Sequence, residues 1–508
     1  MDVKQKTIYY DLTSGKTTFT CTDLKAESEA ELNKQIESNV VGIYPSYTFQ
    51  TMEGFGCAMT ETSCYLLSQM DPKTRKSALA TWFGPDGMDA AFVRMHIDSC
   101  DYSLEEYQAV ADPIADPELK TFNIERDLKW NIPVMKEAME MAGHPISVLL
   151  SPWSPPYQWK TAPELAENDP RVYGGKAAGV DFSKAGRCYG GRLKPEYYAS
   201  WAKYLVMFIQ AYLEQGIPVT MLSIQNEAAA ATSWDSCLWS GEQECKFLKE
   251  NLYPELQKAG LTDKLQIFIW DHNKERAVEH IDAFMADPEA AAMIDGFAYH
   301  WYSGDHFESL DLLHSRYPEK VLLHSESCGL HVPGKSTAYT FTEEELKDMP
   351  EDVKNVFLSN ANAKTPNECD FDDACAYAHD IIGDLNHNMQ RWIDWNLIVD
   401  RTGGPRHVKG GFAAPIVYEE DGSFTKTISY EYLNAIGQAV RPGAVRLGKS
   451  VYSTKVEAAA VRNTDGGIGV LLFNPTDADL EVNVRIEGSI VQGIKLPAKT
   501  LSTFKITE

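Results

Sequence analysis

The sequence predicts an α/β fold, a (β/α)8 TIM barrel with a flanking antiparallel β-sandwich domain. Two patterns support this prediction. Between about residue 50 and residue 400, short apolar β-rich runs alternate with amphipathic helical segments, as in repeated βα units. At both ends of the chain the pattern changes to short alternating strands, which is typical of an antiparallel sandwich.

Eight apolar runs are candidate barrel strands, the number that a (β/α)8 barrel requires. They cover residues 51–59, 91–97, 145–153, 218–227, 265–271, 294–302, 320–326 and 391–399. Helices are predicted between several of them, and the clearest are at 195–215, 241–258 and 374–390. The first of these has proline at its start and glycine just past its end, the residue types that favour those positions.

These patterns divide the chain into three parts. Residues 1–48 are predicted to add N-terminal strands to the sandwich, residues 49–430 to form the barrel, and residues 431–508 to form the C-terminal sandwich. A long non-periodic insertion at 327–373 directly follows the seventh strand. We expect this insertion to lie over the face where the carboxyl ends of the strands meet.

The composition is that of a globular protein, with 44% hydrophobic and 24% charged residues. Lys and Arg number 47 against 73 Asp and Glu, which gives a formal net charge of -26. Nucleic acids and anionic membranes would be repelled by such a surface, so neither is expected as a partner. A homo-oligomer is compatible with the sequence.

The N-terminal residues, MDVKQKTIYYDLTSGK, contain no apolar signal-peptide core, and no apolar run approaches the roughly 20 residues of a membrane span. We therefore expect a cytoplasmic protein without membrane insertion. The ten cysteines show neither C-x-x-C pairs nor zinc-ligand spacing. Mostly reduced thiols are predicted, although one or two disulfides would also be compatible with the sequence.

Two glutamates stand directly at the ends of predicted barrel strands. The fourth run ends in Gln225-Asn226-Glu227, and the seventh ends in His324-Ser325-Glu326. Catalytic groups of barrel enzymes lie at the carboxyl ends of strands, so both side chains should face one pocket. A pair of carboxylates in one pocket suits glycoside chemistry, in which one acid protonates the leaving oxygen and one carboxylate attacks the anomeric carbon. Alternatively, each glutamate alone could simply end a strand beside a helix terminus.

Seven segments, in order along the chain, resemble glycoside hydrolase family 30, and most closely its glucosylceramidase type. They are EGFGCAMTETS (53–63), RMHIDSCDYS (94–103), SPWSPPYQWK (151–160), QNEAAA (225–230), YHWY (299–302), SESC (325–328) and WIDWNL…GGP (392–405). The resemblance runs from about residue 45 to the C-terminus. It implies a barrel with a flanking sandwich and a retaining hydrolase of β-linked glucosides, xylosides, fucosides or β-1,6-glucans. It also implies that no cofactor is needed, and the glucosylceramidase type implies a link to sphingolipid metabolism.

The resemblance also assigns roles to individual residues. Glu227 matches the acid/base, Glu326 the nucleophile, and Asn226 the side chain that contacts the sugar 2-hydroxyl. Arg94 matches the arginine beside the nucleophile, and Asp101 a carboxylate that holds sugar hydroxyls. Stacking or hydrogen-bonding positions match Trp153, His300, Trp301, Tyr302 and Trp395. Without the resemblance, the tryptophans could be core residues, His300 and Arg94 structural residues, and Asp101 a loop cap.

The sequence departs from the family pattern in one place. The family's Asn-Glu-Pro reads Asn226-Glu227-Ala228 here, which removes no catalytic group but relaxes the backbone after the acid/base. The 327–373 insertion is also longer than in the glucosylceramidase type, so specificity for the leaving group does not carry over.

Other functions are compatible with the same motifs. A non-catalytic carbohydrate-binding protein could use the same barrel, although both glutamates are present, and a transglycosylase would share the intermediate. Asp271-His272-Asn273 after the fifth strand could contribute to a metal site, but no second cluster with ligand spacing accompanies it, so no catalytic metal is expected.

Overall fold

A computed structural model describes residues 1–30, 32, 37–161, 188–232, 234–332, 364–408 and 411–507. It contains a closed eight-stranded parallel barrel and, beside it, a ten-stranded sheet. The predicted fold class is therefore confirmed.

The barrel strands follow one another around the barrel in chain order, and each pairs in parallel with its neighbours. Numbered first to eighth, they are Gly54–Ala58, Phe92–Ile97, Ser147–Pro152, Val219–Ser223, Gln266–Asn273, Gly296–His300, Val321–Glu326 and Arg391–Asp394. The eighth strand pairs with the first from Arg391 opposite Gly54 onwards, which closes the barrel. Each strand lies within the apolar run predicted for it or extends it by one or two residues. The last predicted run is divided, because its end, Ile398–Asp400, belongs to a small sheet with Ile416–Tyr418 and Phe424–Lys426.

Helices surround the barrel. They are Glu61–Gln69, Pro72–Phe83, Glu125–Lys129, Asn131–Met141, Tyr198–Glu214, Gly241–Phe247, Tyr253–Lys258, Ala277–Met285, Pro288–Ala291, Phe307–Arg316, Pro366–Asn386 and Ile428–Ala439, with 3-10 turns at Tyr157–Trp159, Pro195–Tyr197 and Lys274–Arg276. The predicted helix at 241–258 contains a π-helical segment, Leu248–Leu252, just before Pro254. The helix predicted at 374–390 begins earlier, because Thr365 and Glu368 form a capping box in front of Pro366.

The barrel interior is built in layers. One apolar layer takes a side chain from each of strands two to eight: Phe92, Leu149, Met221, Phe268, Ala298, Leu323 and Ile393. Because side chains alternate along a strand, the residue two positions later faces the same interior, nearer the carboxyl end. Five strands place a polar residue there, namely Arg94, Ser151, Ser223, His300 and Ser325, and all five side chains are buried. This polar layer forms the floor of the candidate site.

The ten-stranded sheet combines both ends of the chain. In spatial order its strands are Lys16–Lys25, Asp2–Asp11, Leu501–Thr507, Ile468–Phe473, Glu457–Arg462, Ala444–Val451, Val40–Met52, Leu480–Ile486, Ser489–Leu496 and Glu27–Ser28. Strand alternation divides its side chains between two cores: Ala458 and Ala460 face the core of the sandwich, whereas Ala459 and Val461 pack against the barrel's helices. The N-terminal strand pairs directly with the C-terminal one, from Asp2 opposite Thr507.

Two predicted boundaries fall inside secondary-structure elements. Residue 48 lies within strand Val40–Met52, and residue 430 lies within helix Ile428–Ala439, which packs on the barrel helix Pro366–Asn386. The structure therefore places the junctions near residue 53 and near residue 441. Of the predicted 327–373 insertion, residues 333–363 lie outside the described part of the chain.

All ten cysteines are free thiols, so the predicted reduced state describes this structure and the alternative of one or two disulfides does not. Among the described helices, none has both the length and the apolar character required to cross a bilayer.

Candidate active site

The carboxyl ends of strands four and seven bring Glu227 and Glu326 to the same side chain, His300. Glu227 Oε1 lies 3.5 Å from His300 Nδ1, and Glu326 Oε2 lies 3.8 Å from His300 Nε2. The two carboxylate side chains are only 13% and 9% exposed. The structure therefore gathers the two predicted glutamates around one imidazole at the predicted face of the barrel.

Arg94 connects the nucleophile candidate to the rest of the site. Its Nη1 lies 2.5 Å from Glu326 Oε2, and its Nη2 donates to Asn226 Oδ1 at 2.7 Å and to Asp271 Oδ2 at 2.8 Å. The guanidinium is fully buried. A buried charge of this kind requires such partners, since an unpaired one would be strongly destabilising. Arg94 thus fixes Glu326 and Asn226 relative to each other.

Asp271 is the hub of the polar layer. Its Oδ2 accepts hydrogen bonds from Ser151 at 2.9 Å and Ser223 at 2.6 Å, and its Oδ1 accepts one from Ser325 at 2.6 Å and lies 3.1 Å from His300 Nε2. Side chains from the third to the seventh strands, together with Arg94 from the second, therefore meet at one carboxylate. This arrangement holds Arg94 and His300 in place mainly through side chains of the barrel strands.

The pKa values of Asp271 and His300 are shifted in opposite directions, and each shift favours the charged form of its group. Burial would raise the pKa of Asp271, but Arg94 and the hydrogen bonds from His300 and Ser223 outweigh it and hold that pKa below its ordinary value. Burial lowers the pKa of His300, yet Glu326, Asp271 and Glu227 raise it to about 9, so this imidazole is protonated at neutral pH.

Glu227 is shifted in the direction that an acid catalyst needs. Burial and the negative charge of Glu326 raise its pKa, while His300 partly opposes the shift. His272 lies 3.8 Å from the same carboxylate, but burial and neighbouring cations hold its pKa well below the ordinary value, so it is neutral. The surroundings of Glu227, just after strand four, therefore favour its protonated form.

The backbone around Glu227 is held in an uncommon conformation. Glu227 has a φ of 50°, in the left-handed region, and its N–H donates to the carbonyl of Asp271 at 2.8 Å. Trp270 and Asp271 also have positive φ values, 75° and 46°. Non-glycine residues adopt this region at a cost and are enriched at functional sites. This hydrogen bond thus joins the ends of strands four and five next to the carboxylates of Glu227 and Asp271.

Residues 300–302 alternate between the site and the outside of the barrel. Tyr302 donates a hydrogen bond to Glu326 Oε1 at 3.0 Å. Trp301, between His300 and Tyr302, instead packs on Tyr377 of the outer helix Pro366–Asn386, with ring centroids 4.9 Å apart. The structure therefore does not bring Trp301 to the carboxylates. Its role in substrate binding stays a prediction.

Two tryptophans form an aromatic wall beside Arg94. Trp153 and Trp395 are stacked with ring centroids 5.0 Å apart, and the Arg94 guanidinium lies 4.8 Å from the Trp153 ring and 5.5 Å from the Trp395 ring. Both tryptophans belong to an apolar cluster with Tyr102 and Cys328, separate from the main core. Both tryptophans are nearly fully buried, 1% and 3% exposed, so they line the space beside Arg94 closely.

Asp101 stands at the same end of the barrel, paired with a cation that the sequence analysis missed. Arg406 Nη1 lies 3.1 Å from Asp101 Oδ2. Burial raises the pKa of Asp101 to about 7, Arg406 opposes the shift, and the charges of Glu326 and Glu227 add to it. The charges of both glutamates therefore act on Asp101.

Comparison with known proteins identifies the family. The Glycosyl hydrolase family 30 TIM-barrel domain matches residues 52–359 and 342–433, and the family 30 beta sandwich domain matches residues 443–504. The chain belongs to glycosyl hydrolase family 30. It is therefore a β-glycoside hydrolase, and the retaining mechanism is general for the family.

Family 30 proteins of several kinds are similar to this chain. Lysosomal acid glucosylceramidase from Mus musculus is 26% identical over 452 residues, covering 87% of this chain and 78% of that one. The crystal structure of SrfJ from Salmonella typhimurium is 27% identical with a TM-score of 0.82, and all of both chains is covered. The endo-beta1,6-glucanase BT3312 is 22% identical with a TM-score of 0.75 over all of both chains, and it shares the fold.

Asp271 is the main site residue that the sequence analysis did not assign to the pocket of this family 30 chain. Like Glu227, it ends an apolar run, 265–271, but the sequence analysis considered it only as part of a metal site. Strict alternation from Phe268 would point Asp271 away from the interior. A bulge shifts the register between Ala298 and Tyr299, and the positive φ values of Trp270 and Asp271 turn the carboxylate inwards.

A second buried network lies behind the nucleophile candidate. His324 Nδ1 lies 2.6 Å from Asp384 Oδ2, and its Nε2 lies 3.0 Å from the backbone carbonyl of Glu326. His324, Asp380 and Asp384 have the grouping of metal ligands. However, Lys274 Nζ lies 2.6 Å from Asp380 and 3.1 Å from Asp384, so an ammonium already balances these charges. The network supports the seventh strand rather than forming a separate reaction centre.

Proposed function

We propose that this hydrolase is an exo-acting β-glucosidase of the glucosylceramidase type, with Glu326 as nucleophile and Glu227 as acid/base. The substrate would be a β-linked glucoside, and the related xylosides, fucosides and β-1,6-glucans are the competing sugars. Similarity to the mouse glucosylceramidase along most of both chains supports the choice of glucose.

In the first step, an oxygen of Glu326 attacks the anomeric carbon while the bond to the leaving oxygen breaks. Glu227 transfers its proton to that oxygen, and the aglycone leaves as an alcohol. In the second step, Glu227 accepts a proton from water, the resulting hydroxyl attacks the anomeric carbon, and the bond to Glu326 breaks. The sugar is released with its β configuration retained.

The single observation that carries this assignment is the asymmetric environment of the two glutamates. Glu326 receives Arg94 Nη1 at 2.5 Å on Oε2 and the Tyr302 hydroxyl at 3.0 Å on Oε1, so each of its oxygens is held by one donor. Glu227 has the His300 imidazole 3.5 Å away, which lowers its pKa only in part, and burial raises its pKa overall. Environments that separate two carboxyl groups in this way distinguish a nucleophile from an acid.

The remaining groups suit a single sugar ring bound between them. The Trp153–Trp395 wall would contact the apolar face of the ring, Asn226 would hold its 2-hydroxyl, and Asp101 would accept other hydroxyls. Asp101 and Arg406 together offer both an acceptor and donors, and they are held 3.1 Å apart. A pocket that satisfies several hydroxyls of one ring favours exo action.

The test is turnover of aryl β-D-glucoside, xyloside, fucoside and galactoside and of gentiobiose, with the anomer first released identified by NMR. We expect the glucoside to be preferred and the β anomer to appear first. Glu326→Gln should abolish turnover, whereas Glu319→Gln, at the exposed opposite end of the seventh strand, should be active. An active Glu326→Gln enzyme or first release of the α anomer would contradict the assignment.

The same assay separates the alternatives. A carbohydrate-binding protein without activity would bind the glycosides but hydrolyse none of them. A transglycosylase would convert the aryl glucoside mainly into new glycosides when an alcohol acceptor is added at high concentration, because water and acceptor compete for one intermediate.

A further inference from the structure

A second pocket lies at the opposite end of the barrel from Glu227 and Glu326. It is an open pocket between strands Val40–Met52 and Ala444–Val451 of the sheet and the end of helix Pro366–Asn386, and it has a volume of about 520 Å³. This helix leads into the start of the eighth strand, so its end lies at the amino-terminal side of the barrel. We call the space lined by Tyr44, Tyr47, Phe49, Asn386, Arg446 and Lys449 the basal pocket.

Three aromatic side chains of one strand are exposed at the basal pocket. Tyr47 is 66% exposed, Phe49 49% and Tyr44 44%. Adjacent exposed aromatic rings of this size are uncommon on a soluble surface unless they bind something. The rings of Tyr44 and Tyr47 meet edge to face with centroids 6.3 Å apart, so they form a fixed corner.

The backbone is shaped to display these rings. The register between the two strands shifts on either side of Leu447, which leaves residues 45–47 bulged out. Arg462 donates to the carbonyl of Pro45 and holds the bulge. At Gly448 a Cβ atom would lie 2.9 Å from the Cβ of Tyr47, so only glycine lets the tyrosine pack there.

Two cations face the basal pocket without a carboxylate partner. Arg446 is only 8% exposed, its Nε donates to Gln50 Oε1 at 2.8 Å, and its guanidinium lies 3.7 Å from the Phe49 ring. Within the described residues, its two terminal nitrogens and the Lys449 ammonium form no hydrogen bond or ion pair. In a chain with a net charge of -26, two adjacent uncompensated cations are a notable exception.

The nearest carboxylates are already occupied. Asp311 contacts His387 at 2.7 Å and Asn388 at 3.1 Å, and Glu457 contacts His379 at 2.9 Å. Burial lowers the pKa of Arg446 to about 10, and Asp311 opposes this only in part. Burial and the charge of Arg446 also lower the pKa of Lys449. Both cations would be stabilised by an anion bound between them.

Asn386 adds an unsatisfied acceptor to the same space. Its amide nitrogen donates to the carbonyls of Ile382 and Ala458, but its Oδ1 is buried without a hydrogen-bond partner among the described residues. Gln50 ties the walls together, since its amide nitrogen donates to the carbonyls of Leu385 and Met389 while its oxygen accepts from Arg446. Gln50 therefore links the end of the helix to Arg446 on the sheet.

We propose that the basal pocket is a second binding site, specific for a carbohydrate that carries a carboxylate or a phosphate. The anion would bind Arg446 and Lys449, and the sugar face would lie on Tyr47 and Phe49. Carboxylate and phosphate match the guanidinium equally well in geometry. The site is independent of the reaction proposed above, because it lies at the other end of the barrel.

The test is calorimetric titration of the full-length Glu326→Gln protein with methyl β-D-glucuronide, glucose 6-phosphate, methyl β-D-glucoside, inorganic phosphate and tetraglutamate. We expect one or both anionic sugars to bind at least about tenfold more tightly than the neutral glucoside or phosphate. The tighter of the two anionic sugars identifies the anion. Tyr47→Ala should weaken this binding about three- to tenfold, and Lys449→Gln about fivefold, with a loss of affinity at higher salt.

Matched controls use the same residue types on the same sheet but outside the pocket. Tyr452→Ala and Lys455→Gln should leave the affinity unchanged, because both side chains are exposed beyond the end of strand Ala444–Val451. The proposal is overturned if the neutral glucoside or phosphate binds equally well, if tetraglutamate binds more tightly, or if pocket and control variants behave alike. Since binding is assigned through these variants, residual turnover by Glu326→Gln would contradict only the proposed catalytic roles.

Discussion

Arg94 and Glu326 form a buried ion pair, with Nη1 2.5 Å from Oε2, at the centre of the candidate active site. The other terminal nitrogen of the same guanidinium lies 2.8 Å from Asp271, so one cation serves two carboxylates. This sharing keeps Glu326 available to a substrate, because its other oxygen accepts only the hydroxyl of Tyr302 in the described structure. The catalytic groups are thereby positioned by the barrel strands themselves.

The loss of activity in Glu227→Gln should depend on how strongly the leaving oxygen requires protonation. For an alkyl β-glucoside we expect kcat/KM to fall about 10²- to 10⁴-fold, because the proton donor is lost. A dinitrophenyl glucoside should be affected far less in the first step, since its leaving oxygen needs no proton. Steady-state kinetics with both substrates measure the difference, and an equal loss for both would argue against Glu227 as the acid.

His300→Gln should move the alkaline limb of the pH–activity profile to higher pH. The protonated imidazole lies 3.5 Å from Glu227 and lowers the pKa of this carboxyl. Without that positive charge, the pKa of Glu227 rises, and the acid stays protonated to a higher pH. The profile of kcat/KM against pH measures the shift.

His272→Gln is the matched control for that profile. His272 lies 3.8 Å from the same carboxylate, but it is neutral because burial lowers its pKa. Its replacement should leave the alkaline limb where it is. If both variants moved the limb equally, the charge of His300 would not be the cause.

Asp101→Asn should remove a pH dependence of KM near neutrality. Asp101 has a pKa of about 7, so it ionises as the pH rises through that value. A carboxylate accepts hydrogen bonds more strongly than the neutral acid. In the wild type, KM for the glucoside should therefore fall between pH 6 and 8, whereas in Asp101→Asn it should be higher and flat. KM measured across this range tests the role, and an unchanged slope would refute it.

Asp271→Asn should destabilise the fold as well as the site. Removing one charge from the buried Arg94–Asp271 pair leaves a guanidinium with less compensation, which costs about 3 kcal/mol of unfolding free energy. Urea denaturation measures this, and the exposed Asp263→Asn at the start of the same βα unit serves as the control. Equal stability of both variants would show that Asp271 is not the structural hub.

Trp153→Leu and Trp301→Leu should separate substrate binding from packing. Trp153 lies in the aromatic wall beside Arg94, so its loss should raise KM for the glucoside at least about threefold. Trp301 packs on Tyr377 outside the barrel, so its loss should lower stability by about 1–3 kcal/mol and leave KM unchanged. Kinetics and thermal unfolding of the two variants test this. A raised KM for Trp301→Leu would show that Trp301 contributes to substrate binding.

The sequence predicted the barrel well because its strands have a strong local signal. Each interior run is apolar, short and followed by turn or helix residues. In five of the seven strands of the apolar layer, the residue two positions after the apolar interior residue is polar. The same rule identifies Arg94 from Phe92, Ser151 from Leu149 and Ser325 from Leu323. The rule failed at Asp271, where a bulge shifts the register. The register depends on the neighbouring strand, so the sequence of one strand does not predict it.

By itself, the sequence determined the fold class, the eight strands, the family and the two glutamates, because periodicity and motif order are local properties of the chain. Only the tertiary structure decided which neighbours share a site: Asp271 turns inwards and Arg406 meets Asp101 across 305 positions, whereas Trp301 faces the outer helix. The physical reason is that charge pairing and burial depend on distances between separate elements. Those distances arise when the barrel closes and the sheet packs against it, and no sequence spacing encodes them.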